Sequence, residues 1–148
     1  MGKIGQPKVL IDADVIIAYL ADNALADHSA ILIERANKDQ LELIGSPELY
    51  MDIITAYKSQ GTTDSQILRI LEDLAAIKHK CIRSTLDISI SALRYYTQYG
   101  GPRKLHFFDA FHVATARKYE FPLVTSDKFI LQHEKKMKIE TIDLESIG

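Results

Sequence analysis

Four aspartates stand at positions where carboxylates could act together. Asp12 follows the apolar run KVLI, Asp127 follows PLVTS, Asp109 opens the segment DAFHVATARKY, and Asp52 lies within LYMDIITAY. If the fold gathers them, each pair at about 5 Å and an effective dielectric near 20 repels by roughly 3 kcal/mol. Such a group persists only if some members stay protonated or if hard cations sit among them. Oxygen ligands select Mg²⁺ or Mn²⁺ over zinc, and one or two such ions activate water and stabilise the oxyanions of phosphodiester cleavage. Each aspartate also has an ordinary role available. Asp109 and Asp127 could cap helices, and Asp52 could be a solvated helix residue. Asp12 is hardest to explain away, because aspartate is depleted in strands and here ends one that is apolar throughout.

The elements that must position these residues alternate along the chain. A β-branched run at 8–11 predicts a strand, followed by a short buried helix at 15–20 and a helix at 27–38 with Asp27 as its N-cap. LELIGS (41–46) reads as a strand, and Pro47 opens a helix at 47–60 that Gly61 stops. Thr63 and Gln66 form a capping box for a helix to 77, KCIR (80–83) is a third strand, and a helix at 85–99 ends at Gly100-Gly101-Pro102. A basic loop follows, then a helix at 108–119, the strand FPLVTS (121–126), a helix at 127–135 and the strand KIETID (138–143). Strands separated by helices predict an α/β fold with a mostly parallel sheet and helices on both faces, its ligands at the C-terminal ends of the strands. By this reading Asp52 shares a helix side with Leu49 and Ala56 and is partly buried.

The 148 residues suit one ordinary domain, and 47% apolar with 26% charged residues excludes disorder and low-complexity sequence. Eighteen basic against twenty acidic side chains give a net charge of −2, which does not suggest a generic polyanion binder. Residues 1–77 nonetheless hold 6 basic and 12 acidic side chains, and 78–148 hold 12 and 8, so an acidic site beside a basic rim is compatible with the charge pattern. The single cysteine, Cys81, permits no internal disulfide and points to a reducing compartment, the cytoplasm. No apolar run precedes Val9, and VLIDADVIIAYLA is broken by two aspartates, so neither a signal peptide nor a membrane span is expected.

These segments resemble the PIN-domain ribonucleases, in particular the toxin-like VapC group. The likeness is strongest in DAFHVATARKYEFPLVTSDKFI (109–130), and VLIDADVIIAYL and SPELYMDIITAY resemble the family's opening strand and acidic second helix. It implies a single three-layer PIN domain over residues 1–148. It further implies catalytic and metal-ligating roles for Asp12, Asp52, Asp109 and Asp127, an RNA substrate, Mg²⁺ or Mn²⁺ as cofactor, a homodimer and, for a toxin, a small antitoxin partner. Two positions depart from the pattern. The second acid is commonly glutamate, so Asp52, one methylene shorter, is expected to reach a metal through water. Asp14 stands where the family often has a small hydroxyl or amide residue, and either caps the next helix or adds an outer ligand, the cap being favoured.

Supporting roles follow from the same matching. Thr125 is expected to orient Asp127 or hold the water. His112, three residues after Asp109, is expected to pack or to form a supporting hydrogen bond and is not read as catalytic. Arg103, Lys104 and His106 could meet RNA phosphates or bases, with solvated charge as the alternative. Tyr95, Tyr96 and Tyr99 have the spacing of core or dimer packing before that of base stacking, and Lys135, Lys136 and Lys138 read as a solvated helix end. Three rival functions remain open at this point. DADV also fits haloacid-dehalogenase-like phosphatases, with Asp12 as nucleophile and Asp14 as general acid, although TSDKF supplies only one carboxylate where two are needed. A phosphorelay receiver would need a lysine after its last strand, where this chain is acidic. The third rival is a PIN-like binding module without activity.

Overall fold

Three residues of the first strand already divide the molecule into two sides. The computed structural model describes residues 6–148; of the opening segment read for a leader peptide, residues 1–5 lie outside the described residues. In strand β1 (Lys8–Ile11), Val9 and Ile11 face one hydrophobic core and Leu10 faces another, as the two-residue period of a strand requires. The first core collects helices α1 (Ala13–Ala21), α2 (Ala26–Asn37), α3 (Leu49–Ser59) and α4 (Asp64–Ala75). The second collects α5 (Leu86–Tyr99), α6 (Phe107–Tyr119) and α7 (Lys128–Met137). Between the layers lies a five-stranded, all-parallel sheet completed by β2 (Glu42–Gly45), β3 (Lys80–Cys81), β4 (Leu123–Thr125) and β5 (Thr141–Asp143), in the order β3-β2-β1-β4-β5. The expected three-layer α/β fold is what forms. Among the described residues, no single helix is long and apolar enough to cross a membrane.

Boundaries differ from expectation mainly in strand length. The strands expected over 80–83, 121–126 and 138–143 shorten to β3, β4 and β5, of which β3 and β5 are edge strands with a neighbour on one side only. The capping box of α4 is present, with the Gln66 N–H donating to Thr63 Oγ1 at 3.2 Å and the Thr63 N–H to Gln66 Oε1 at 3.1 Å. Asp27 does not cap α2. Leu25 holds the cap position, its N–H taken by Asn23 Oδ1 at 2.9 Å, so the turn supplies the acceptor one step earlier and Asp27 falls inside the first turn. Pro47 and Glu48 form a turn, and α3 starts at Leu49.

Because the strands are parallel, β1, β2 and β4 end along one edge, and the chain leaves them at Asp12, Ser46 and Ser126. Gly45 gives this edge room. A Cβ there would stand 2.6 Å from Leu49 Cδ2 and 2.8 Å from Cys81 Sγ, so a larger residue would push aside the side chains through which α3 packs onto the end of β2.

Candidate metal centre

Asp12 is the first residue beyond β1, and its N–H still joins the ladder, donating to Val124 O at 3.1 Å. The residue is only 4% exposed. Its Oδ2 accepts from Thr125 Oγ1 at 2.7 Å, and the same Thr125 oxygen accepts the Asp127 N–H at 3.0 Å. Thr125 therefore ties the turn after β1 to the turn after β4, and the carboxylate it orients is that of Asp12, with Asp127 reached through its backbone.

Asp52 enters from the first turn of α3, and its Oδ2 accepts from His112 Nε2 at 2.7 Å. His112 is fully buried, and its Nδ1 meets Ser46 Oγ at 2.7 Å, so both ring nitrogens are engaged. An ionised carboxylate only accepts, which fixes Nε2 as a donor. The same nitrogen lies 3.7 Å from Asp12 Oδ1. Burial pulls the imidazole down, but the Asp52 hydrogen bond and the charges of Asp12, Asp52 and Asp109 outweigh it and leave His112 up at about 9.

Asp109 is the third residue of α6, whose cap position belongs to His106, so Asp109 is no N-cap. Asp127, by contrast, does cap a helix: its Oδ1 accepts the Ile130 N–H at 3.2 Å at the start of α7. One ligand atom from each of Asp12, Asp52, Asp109 and His112 lies within 4.8 Å of the others, and the same holds for His106, Asp109 and Asp127. The four aspartates thus form two groups joined through Asp109.

Charge in this cluster is poorly compensated. Burial, followed by the repulsion of Asp12, pushes the Asp109 carboxyl up to about 9, against the opposing pull of His112. Burial likewise raises Asp12, where His112 and the Thr125 hydrogen bond pull the other way. Among the described residues no lysine or arginine forms an ion pair with any of the four, the contacts being to His106 and His112. Four converging carboxylates without such a partner, two of which, Asp12 and Asp109, have raised proton affinity, form a donor set that fits a divalent cation.

Asp14 neither caps α1 nor reaches the cluster with a ligand atom. Its Oδ2 accepts the Ser126 N–H at 2.8 Å and the Ser126 hydroxyl, while its Oδ1 is buried without a hydrogen-bond partner. The favoured cap reading is corrected, because the turn after β4 crosses β1 closely enough to claim this carboxylate. Burial, then Asp12, pushes Asp14 up to about 7. A phosphatase general acid at this position would have to be free, and it is held.

A family model of the PIN domain matches residues 9–136. This chain belongs to the PIN-domain family. Its fold is shared with VapBC2 from Rickettsia felis, solved bound to a promoter DNA fragment, at TM-score 0.67 and 12% identity, covering 91% of this chain and 97% of that one. VapBC-1 from nontypeable Haemophilus influenzae aligns at TM-score 0.63 and 16% identity over 94% and 99% of the two chains. A toxin-antitoxin complex from Klebsiella pneumoniae aligns at 0.60 and 17% over 92% and 97%. No curated protein is a detectable sequence relative.

In this PIN domain the remaining residues singled out from sequence divide sharply. His106 lies beside Asp109, its Nδ1 3.5 Å from Asp109 Oδ2. Arg103 and Lys104 are exposed in the loop before α6, and their side chains make no hydrogen bond or ion pair with the described residues. The tyrosines pack, as expected: Tyr95 and Tyr99 stack at 6.3 Å, Tyr96 meets Phe107 at 5.3 Å, and the Tyr95 hydroxyl donates to Met137 O at 2.6 Å. Lys135, Lys136 and Lys138 are exposed at the end of α7. Ser46 and Ser126 are additions that the sequence reading lacks. Both directly follow a strand that ends at the site edge, so the position rule that selects Asp12 could have found them, but a lone serine carries no charge to draw attention.

Proposed function

We propose that this PIN domain is a metal-dependent endoribonuclease in which Asp12, Asp52, Asp109 and Asp127 hold one or two Mg²⁺ or Mn²⁺ ions. The observation that carries the reading is Asp109: a carboxylate 7% exposed, with raised proton affinity, at the meeting point of two ligand groups. When bound, such an ion supplies acidity to the attacking water and neutralises charge on the leaving oxygen. The protein's own part is positional. Thr125 fixes the direction of Asp12, His112 that of Asp52 and the Ile130 N–H that of Asp127, so three of the four carboxylates are oriented before any ligand arrives. Attack by water on phosphorus with the 3′-oxygen as leaving group breaks the P–O3′ bond and gives 5′-phosphate and 3′-hydroxyl ends with no covalent enzyme intermediate.

A cytoplasmic location, a homodimer and a small antitoxin belong to the same proposal. Two separate apolar surfaces support the protein partners: Leu86, Ile90 and Leu93 are exposed along α5, and Tyr50, Met51 and Leu68 on α3 and α4. The structural neighbours solved as toxin-antitoxin complexes support the antitoxin.

Hydrolysis of single-stranded RNA by the purified chain tests the function. Cleavage should require Mg²⁺ or Mn²⁺, stop with chelator, and fall in Asp12→Asn by at least the roughly 10²–10³-fold seen when one preorganised charge-stabilising group is removed. A trapped aspartyl phosphate on a phosphomonoester would establish the phosphatase instead. A folded protein inactive at every metal concentration would leave a binding module.

A further inference from the structure

The outer side of Asp109 is the least occupied part of the site. Among the described residues no donor hydrogen-bonds its carboxylate, although the residue is more than nine-tenths buried. Across from it stands His106, 72% exposed at the side chain, whose Nδ1 is 3.5 Å from Asp109 Oδ2, long for a charge-assisted hydrogen bond. The third member is Asp127, arriving from the turn after β4, and one ligand atom of each residue lies within 4.8 Å of the other two. Two ligands on opposite sides of an ion at about 2.1 Å are about 4.2 Å apart, so the 3.5 Å between His106 and Asp109 suits a shared small cation, and Asp127 is near enough to join them with a small shift.

The position of His106 is set by its neighbours. Leu105 is fully buried, and its N–H donates to Tyr99 O at 3.2 Å, which pins the loop immediately before the helix. His106 and Asp109 are three apart at the start of α6 and share a face. At a cap position serine, threonine, aspartate or asparagine would satisfy the free amides of the first turn. The histidine here makes no such bond, and its ring is left to face the two carboxylates.

We propose that His106 is a direct ligand of the divalent ion, forming with Asp109 and Asp127 an outer seat of two oxygens and one nitrogen, and that this seat favours a first-row transition ion over magnesium. The inference rests on the metal-dependent reading above and adds a ligand to it. Magnesium takes oxygen and water almost exclusively, whereas an imidazole nitrogen strengthens binding of transition ions more than of magnesium. Contact with RNA phosphate, the role expected of His106 from sequence, is the competing assignment.

Pulsed electron paramagnetic resonance on the full chain loaded with Mn²⁺ tests this directly. The wild type should show nitrogen hyperfine coupling from a bound imidazole, and His106→Ala should lose it. Calorimetry should show Mn²⁺ affinity falling in His106→Ala by at least about tenfold, the lower bound for groups that merely support a ligand, with a smaller change for Mg²⁺. His106 is a surface residue, so the variant should fold, and circular dichroism checks that it has. Mn²⁺ bound without nitrogen coupling overturns this inference alone, leaving the four-carboxylate reading intact. Coupling that persists undiminished in His106→Ala also overturns it and assigns the nitrogen to His112. A wild type that binds no Mn²⁺ at all overturns both.

Discussion

Asp12 and Asp52 are each held by a side chain from a different part of the chain, whereas Asp109 has no hydrogen-bond donor among the described residues. The inner half of the site is thus braced by Thr125 and by the Ser46–His112 pair, and the outer half is Asp109 with Asp127 and an exposed imidazole. The difference shows where the fold has fixed the direction of a carboxylate and where it has left one for a ligand. Asp12 and Asp52 are directed at the cost of lone pairs already used, although burial still raises the proton affinity of Asp12; Asp109 keeps its lone pairs. A divalent ion should therefore stabilise the outer half most.

The largest expected effect follows from proton uptake. Asp109 moves from its ordinary 3.8 to about 9 on folding, and Asp14 to about 7. His112, ordinarily at 6.5, moves to about 9. All three shifts are upward, so between about pH 4 and 9 the folded state binds more protons than the unfolded one, and metal-free stability must fall as pH rises through that window. Asp109→Asn removes one of these contributions. In chelator its advantage over wild type should be near zero at pH 4 and grow by up to about 1.4 kcal/mol per pH unit until about pH 9, read as a widening gap in melting temperature. A variant that melts lower than wild type across the whole range would show that Asp109 mainly serves its helix. Saturating Mg²⁺ or Mn²⁺ should raise the wild-type melting temperature more than the variant's, because the ion binds only the folded cluster.

This division is partly legible in the sequence. The fold follows from alternating apolar runs and helix stops, and the four aspartates stand out because each lies at or near a predicted strand end or helix start. The bracing is not legible. Ser46 and His112 are 66 positions apart, Asp14 and Ser126 are 112 apart, and nothing local in a sequence marks a hydrogen bond between such distant residues. Asp14 defeats the sequence reading for that reason: a local rule for helix starts meets a residue whose partner arrives from the other half of the chain. His106 stands out in the sequence only as part of a basic loop, since its nearness to Asp127 depends on how α6 and α7 are placed around the sheet.

The inner brace can be broken without altering any carboxylate. Ser46→Ala leaves the buried His112 Nδ1 without its partner, which should cost about 1–3 kcal/mol of stability, and should slow cleavage by roughly 10–100-fold through misdirection of Asp52. The two effects separate in a double-mutant cycle. In an Asp52→Ala background the ring has lost the carboxylate it hydrogen-bonds, so adding Ser46→Ala should reduce the rate little further, although the stability loss persists. Rate losses that simply multiply would show that Ser46 acts independently of Asp52.

Beyond the outer half lies a third zone, where the contrast between braced and unbraced side chains reaches its limit. Arg103 and Lys104 are exposed, their side chains make no hydrogen bond or ion pair with the described residues, and removing both should change stability by no more than about 0.5 kcal/mol each. Their effect should appear only with substrate. If both meet the backbone of single-stranded RNA, the double alanine variant should raise KM most at low salt and flatten the slope of log KM against log salt by about 0.7 for each phosphate that is no longer neutralised. Turnover at saturating RNA should stay near the wild-type rate, since neither side chain belongs to the carboxylate groups. An unchanged salt slope would identify these two charges as solvated surface, and the reach of the site would then end at His106.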